Sequence, residues 1–167
     1  MDKFIVISSD CHAGLPPEQY REWVDPKFRD VFDVALPIQI EEVKAAAKKF
    51  LVADVNEEWR KGIEPELTGA WDSDVRNQVL DADGITEMNM PPFGAGISLP
   101  TDPPIVPELQ WVGARAHNRW VAQFCQMAPE RRAGLAVTPI CWDDLDASVA
   151  EIRWARENGL KGILIPS

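Results

Sequence analysis

Short apolar runs alternate along this chain with longer stretches in which hydrophobic residues recur every three or four positions, the pattern of alternating strands and helices. Lys3-Phe4-Ile5-Val6-Ile7 is the first run and leads into Ser8-Ser9-Asp10. A continuous apolar run of this kind predicts a strand buried on both faces, as in a parallel sheet. Pro16 and Pro17 stand where proline opens a helix, ahead of Glu18 to Val24, and Asp25-Pro26 restarts the pattern with Phe28, Val31 and Phe32 at helical spacing. Pro37 is expected to open the longest helix, carried to Lys61. Its apolar positions Ile40, Val43, Ala47, Phe50, Leu51, Val55 and Trp59 advance by threes and fours, with Lys44, Lys48 and Glu58 largely outside that stripe. Gly62 should close it. Asp72 or Ser73 should cap a shorter helix through Val75, Val79 and Leu80, ended by Gly84.

The second half has a clearer rhythm. Residues 85–90 predict a strand, and residues 91–107, with six prolines, a loop around Phe93. Residues 108–128 predict an amphipathic helix carrying Leu109, Trp111, Val112, Trp120, Val121 and Phe124, stopped by Pro129. Residues 133–138 predict a strand. Asp143 or Asp144 should cap a helix from Leu145 to Asn158, Asn158-Gly159 should stop it, and residues 162–165 form the last strand before Pro166-Ser167. Strands alternating with such helices predict βαβ units and one parallel four-stranded sheet, over roughly residues 3–8, 85–90, 133–138 and 161–165. Residues 13–83 then form a mainly helical insertion between the first two strands, far longer than an ordinary connection. No repeat of solenoid length appears.

The 167 residues fit one domain, and 46% apolar with 26% charged residues is ordinary for a folded chain. Acids outnumber bases 27 to 17, a net charge of −10. Such a surface repels phosphate backbones and anionic lipids, so neither nucleic acid nor membrane is an expected partner. Phe4 to Ile7 is too short for a signal-peptide core or a membrane span. Three widely spaced cysteines, Cys11, Cys125 and Cys141, with no Cys-x-x-Cys pair, argue against a disulfide scaffold or zinc knuckle. Both points favour the reducing cytoplasm. Fourteen prolines must fall between elements if the chain is to fold.

Candidate chemistry gathers at Asp10-Cys11-His12, at the carboxyl end of the first strand, where α/β folds place their active sites. Asp10 and His12 share a face with Phe4, Val6 and Ser8 if the strand runs that far, and can offer an oxygen and a nitrogen to one divalent metal. The alternative is that Asp10 caps a turn and His12 is an ordinary loop residue. Cys11 points to the opposite face, toward the core. Glu87 and Asn89 share a face and could look into a site, though a degraded or shifted strand is the preferred reading there. His117 lies in the helix of Trp120 and Phe124, as a structural or solvent-facing residue. Arg131-Arg132 reads as surface charge, and the seven tryptophans as packing or subunit contact. Gly94-Ala95-Gly96 matches no phosphate-binding spacing.

Ile7-Ser8-Ser9-Asp10-Cys11-His12 resembles the opening of the amidohydrolase-related proteins, the group of the aminocarboxymuconate-semialdehyde decarboxylase-like enzymes. The resemblance continues through Leu80-Asp81-Ala82-Asp83-Gly84-Ile85-Thr86, then Asn118 to Ala122 running into Ala128 to Ala136, and then Asp146-Ala147, Glu151-Ile152 and Gly159 to Ile163. It implies an α/β fold: a partial (β/α)8 TIM barrel, made of the first four strands with the helical insertion after strand 1. It also implies a metal-dependent hydrolase or decarboxylase acting on a small organic carboxylate, amide or lactone. The family's first-strand metal pair maps onto Asp10 and His12; Gly14 excludes the His-x-His version. The implied cofactor is a divalent metal, zinc with manganese as the alternative. The family's remaining ligands, and the general acid or base, would lie beyond Ser167. By the same resemblance the insertion covers the barrel mouth or a dimer contact, with Tyr20, Trp23, Trp59 and Trp71 supplying apolar area. A homo-oligomer is therefore expected. The competing reading is a truncated, non-catalytic half-barrel serving only in assembly or as a remnant.

Overall fold

The computed structural model describes residues 6–50, 53–90, 107–138 and 144–164. Strand β1 (Val6–His12) pairs in parallel with β2 (Ile85–Met90), and β3 (Leu135–Val137) pairs in parallel with β4 (Gly162–Leu164). These are two separate two-stranded sheets in a mostly helical chain, so the expected four-stranded part of a (β/α)8 barrel is corrected. One isolated parallel bridge, Glu87 to Arg132, joins β2 to the segment entering β3 and goes no further. The outer edge of β3 shows why a further strand cannot run its full length beside it. There the Asn118 side chain donates to the Val137 carbonyl at 2.9 Å and accepts from the Val137 N–H at 2.8 Å. A side-chain amide thus occupies the ladder groups that another strand would need. β1 also departs from expectation: Val6 and Ile7 are 50% and 64% exposed, so this strand is not buried on both faces.

Between β1 and β2 the described elements are all helical. Short 3-10 turns over Pro17–Glu22 and Pro26–Phe28 lead into α1 (Arg29–Phe50), followed by α2 (Ala53–Leu67) and α3 (Ser73–Asp83). Pro37 does not open the long helix but lies inside α1. Burial of Phe32 and Ala35 holds the turns before it helical, at the expense of the hydrogen bond a proline cannot donate. Gly62 does not close a helix either; it sits within α2. Of the stripe expected in this region, Leu51 and the side chains of Ala47, Phe50 and Val55 lie outside the described residues, while Val43 and Trp59 are exposed. α3 follows its sequence signals closely. The Asp72 carboxylate accepts from the Asp74 and Val75 N–H groups, and Gly84 ends the helix at φ 68°.

α4 (Pro107–Gln126) is the spine of the molecule. Its Val112 and Ala116 pack with Val24, Phe32 and Ala35, and its Trp120, Val121, Phe124 and Cys125 pack with Ala136, Ala155 and Leu160. Tyr20, Trp23 and Trp71 rest on these clusters. α5 (Leu145–Glu157) is capped by Asp144, whose carboxylate accepts from the Ala147 N–H. Gly134 is required by close approach: a Cβ there would stand 2.8 Å from both Cys125 Sγ and a Leu160 methyl. The proline-rich stretch 91–106 with Gly94-Ala95-Gly96, and also Cys141 and Asp143, lie outside the described residues.

Candidate functional site

The end of β1 carries the pair singled out by the sequence. The register of β1 shifts between Ser8 and Cys11 before pairing resumes at Cys11 and His12, and the Asp10 and His12 side chains, two residues apart, approach each other there. Asp10 Oδ1 stands 3.2 Å from His12 Nε2, with the two side chains 83% and 49% exposed. Two ligands about 2.0–2.2 Å from one ion and roughly a right angle to a tetrahedral angle apart are separated by about 2.8–3.6 Å. The pair therefore fits two adjacent positions of a divalent ion's coordination shell. Among the described residues no group of three His, Cys, Asp or Glu converges at a metal-binding distance. Cys11 is half-buried.

Behind this end the structure holds a charge network. Arg76 donates to the His12 carbonyl, and to the Gly69 carbonyl at 2.8 Å. Its Nε lies 3.5 Å from Glu87 Oε2. Glu87 in turn meets Arg132, Nε to Oε1 at 3.0 Å, with both side chains fully buried. The other Arg132 nitrogens donate to Ser73 Oγ and the Phe124 carbonyl, and to the Ser73 carbonyl and Asn77 Oδ1, at 2.8–3.0 Å. The guanidinium also lies 4.1 Å from the centre of the Phe124 ring. Burial pulls the Arg132 pKa down from its ordinary range, and Glu87 opposes the shift.

Arg132 is thus not the surface charge its position in Arg131-Arg132 predicted. An isolated charge reads as solvated from sequence, because the acceptors that make burial tolerable come from α3, α4 and β2. Glu87 does face inward, but toward Arg132 rather than an open site. The Asn89 side chain lies outside the described residues. Arg131 is half-buried and pairs with Asp81 at 2.6 Å.

α4 supplies two buried polar groups. Asn118 spans β3 and Glu151, its Nδ2 lying 2.9 Å from Glu151 Oε1. Arg115 approaches the other Glu151 oxygen at 3.2 Å. Sequence reasoning missed this set. The signal was available, since Asn118 falls in phase with the buried Ala114, Val121 and Cys125.

His117 is 1% exposed, which settles its structural role against a solvent-facing one. The Tyr20 hydroxyl accepts from the Leu15 N–H at 3.2 Å and lies 2.9 Å from His117 Nδ1. The Tyr20 hydroxyl can donate to Nδ1 or accept from it, according to the imidazole tautomer. His117 Nε2 has no hydrogen-bond partner among the described residues. Desolvation lowers the His117 pKa to about 3 and raises that of Tyr20. His117 is therefore neutral and well suited to packing against Trp120, 5.7 Å away between ring centres.

No helix among the described residues is long and apolar enough to cross a membrane. No protein-family model matches this chain, and no curated protein matches it.

Proposed function

We propose that Asp10 and His12 are two ligands of a divalent metal, zinc or alternatively manganese, in a metal-dependent hydrolase or carboxy-lyase for a small organic carboxylate, amide or lactone. The observation that carries this reading is the 3.2 Å approach of the exposed Asp10 Oδ1 and His12 Nε2 side-chain atoms at the carboxyl end of β1. When bound, the metal would polarise a substrate carbonyl or carboxylate and activate water. The chain's own part is to bind and orient. Asp10 would supply an oxygen donor and His12 a nitrogen donor. Arg76 holds the His12 carbonyl, so the histidine's backbone is anchored to α3. Two donors make a weak site by themselves, because structural or catalytic metal sites use three or four protein ligands.

Titration calorimetry with zinc and with manganese tests the assignment. Weak binding is expected for the chain, and Asp10→Asn and His12→Ala should each weaken it by at least about 10-fold. Unchanged affinity in both variants would remove these residues from the site. A non-catalytic binding role is the second reading, favoured by the lack of a third converging donor among the described residues. Hydrolysis or decarboxylation of simple carboxylates and lactones by the metal-loaded chain, lost in His12→Ala, separates the two.

A further inference from the structure

α5 turns Ser148, Glu151 and Ala155 inward, and the side about a quarter-turn round the helix from them stays exposed among the described residues. Leu145, Val149 and Ile152 are 56%, 43% and 36% exposed there, and Arg156 continues the spacing of four, three and four residues. This is an apolar stripe along one face of a helix. On one flank of the stripe a cleft of about 500 Å³ runs between α5 and β4, lined by Ile152, Arg156, Leu160 and Ile163 among others. On the other flank stand Asp146, in the first turn, and Arg153, two turns further along. Neither makes an ion pair with another described residue.

We propose that this face binds the same face of a second copy of the chain, α5 against α5, antiparallel about a twofold axis midway between Val149 and Ile152. Three features agree on that one arrangement. Val149 of each copy falls opposite Ile152 of the other, which buries the centre of the stripe. Leu145 of the second copy falls level with Arg156, on the cleft side, so the most exposed apolar side chain of α5 meets the cleft mouth. Asp146 comes within about 3 Å, measured along the helix axis, of Arg153 of the second copy, on the same flank. The ion pair forms twice by symmetry. In a parallel twofold pair the Asp146 and Arg153 side chains of the two copies would stand on opposite flanks and form no pair, so only the antiparallel arrangement brings acid to base. The contact is self-complementary and closes at two subunits. One helix pair with a shallow cleft is a small interface, so the dimer is weak, in the micromolar range or above.

Sedimentation equilibrium on the full chain, from about 1 µM to about 1 mM, tests the proposal. A reversible monomer–dimer equilibrium is expected. Ile152→Glu should raise its dissociation constant by at least about 10-fold, because it places a charge at the apolar centre. Asp146→Arg and Arg153→Asp should each weaken it by about 5-fold or more, and the double swap should restore it to within about 3-fold. Far-UV circular dichroism of each variant checks that the single variants fold. A wild-type chain that stays monomeric throughout overturns the proposal. So does a dimer indifferent to Ile152→Glu, or a double swap as weak as its single parents.

Discussion

Burying the Arg132 guanidinium removes a full charge from water, and Glu87, Ser73, Asn77 and the Phe124 carbonyl stand in for the lost hydration. Removing one partner should therefore be far worse than removing both. Glu87→Leu alone is expected to destabilise the fold by about 3–5 kcal/mol, whereas Glu87→Leu with Arg132→Met recovers most of that loss. Urea unfolding of the three proteins measures the difference. His117 makes a pH statement of its own. Its folded pKa of about 3 lies below the ordinary 6.5, so the unfolded chain binds the extra proton between these values. Its stabilising contribution is thus complete above pH 6.5 and declines as the pH falls toward 3, by at most about 5 kcal/mol. His117→Gln keeps an acceptor for Tyr20 and does not titrate. Its urea midpoint should fall less than that of wild type between pH 7 and pH 4. None of these roles follows from residue type. Arg132 beside Arg131 and His117 on a helix look ordinary until Glu87 and Tyr20, distant in sequence, close on them.

At the scale of elements, local chemistry was more informative. The Asp72 cap, the Gly84 stop and the Asp144 cap all stand where capping rules place them, because a cap is decided within four residues. Asp72→Ala should cost about 1 kcal/mol, read as a lower midpoint in thermal or urea unfolding. The errors at Pro37 and Gly62 have the opposite origin. Both residues are helix breakers by intrinsic preference, and flanking helical segments override them. Gly62 is exposed, and a Cβ there would meet nothing within 4 Å. Gly62→Ala should then stabilise the chain by about 0.5–1 kcal/mol, a gain that differential scanning calorimetry can detect.

For the whole molecule, α4 holds both hydrophobic clusters together, while α1 joins them only through its first turns, at Phe32 and Ala35. Between Ala35 and Gly69 no described residue is buried, and Val43 and Trp59 are 61% and 59% exposed. Amides of residues 38–50 and 53–67 should therefore exchange with solvent orders of magnitude faster than those of residues 112–125. Hydrogen-exchange mass spectrometry reads this directly, and equal protection of the two regions would contradict it. Trp120→Ala should lower protection across both clusters, since Trp120 stacks on Phe124 at 5.1 Å and contacts the Tyr20 ring at the junction.

The order of strands and helices, the caps of α3 and α5 and the shared side of Asp10 and His12 were legible in the amino-acid sequence, because each depends on spacing within a few residues. The number of strands that join one sheet was not. An apolar run of three to seven residues shows that a strand can form but not what occupies its edges. At Val137 of β3 the occupant is Asn118, a side chain from α4. The same holds for the Glu87–Arg132 pair and for the neutral His117. Their environments are assembled from segments tens of residues apart, so only the tertiary structure decides which charges leave water and which strands meet.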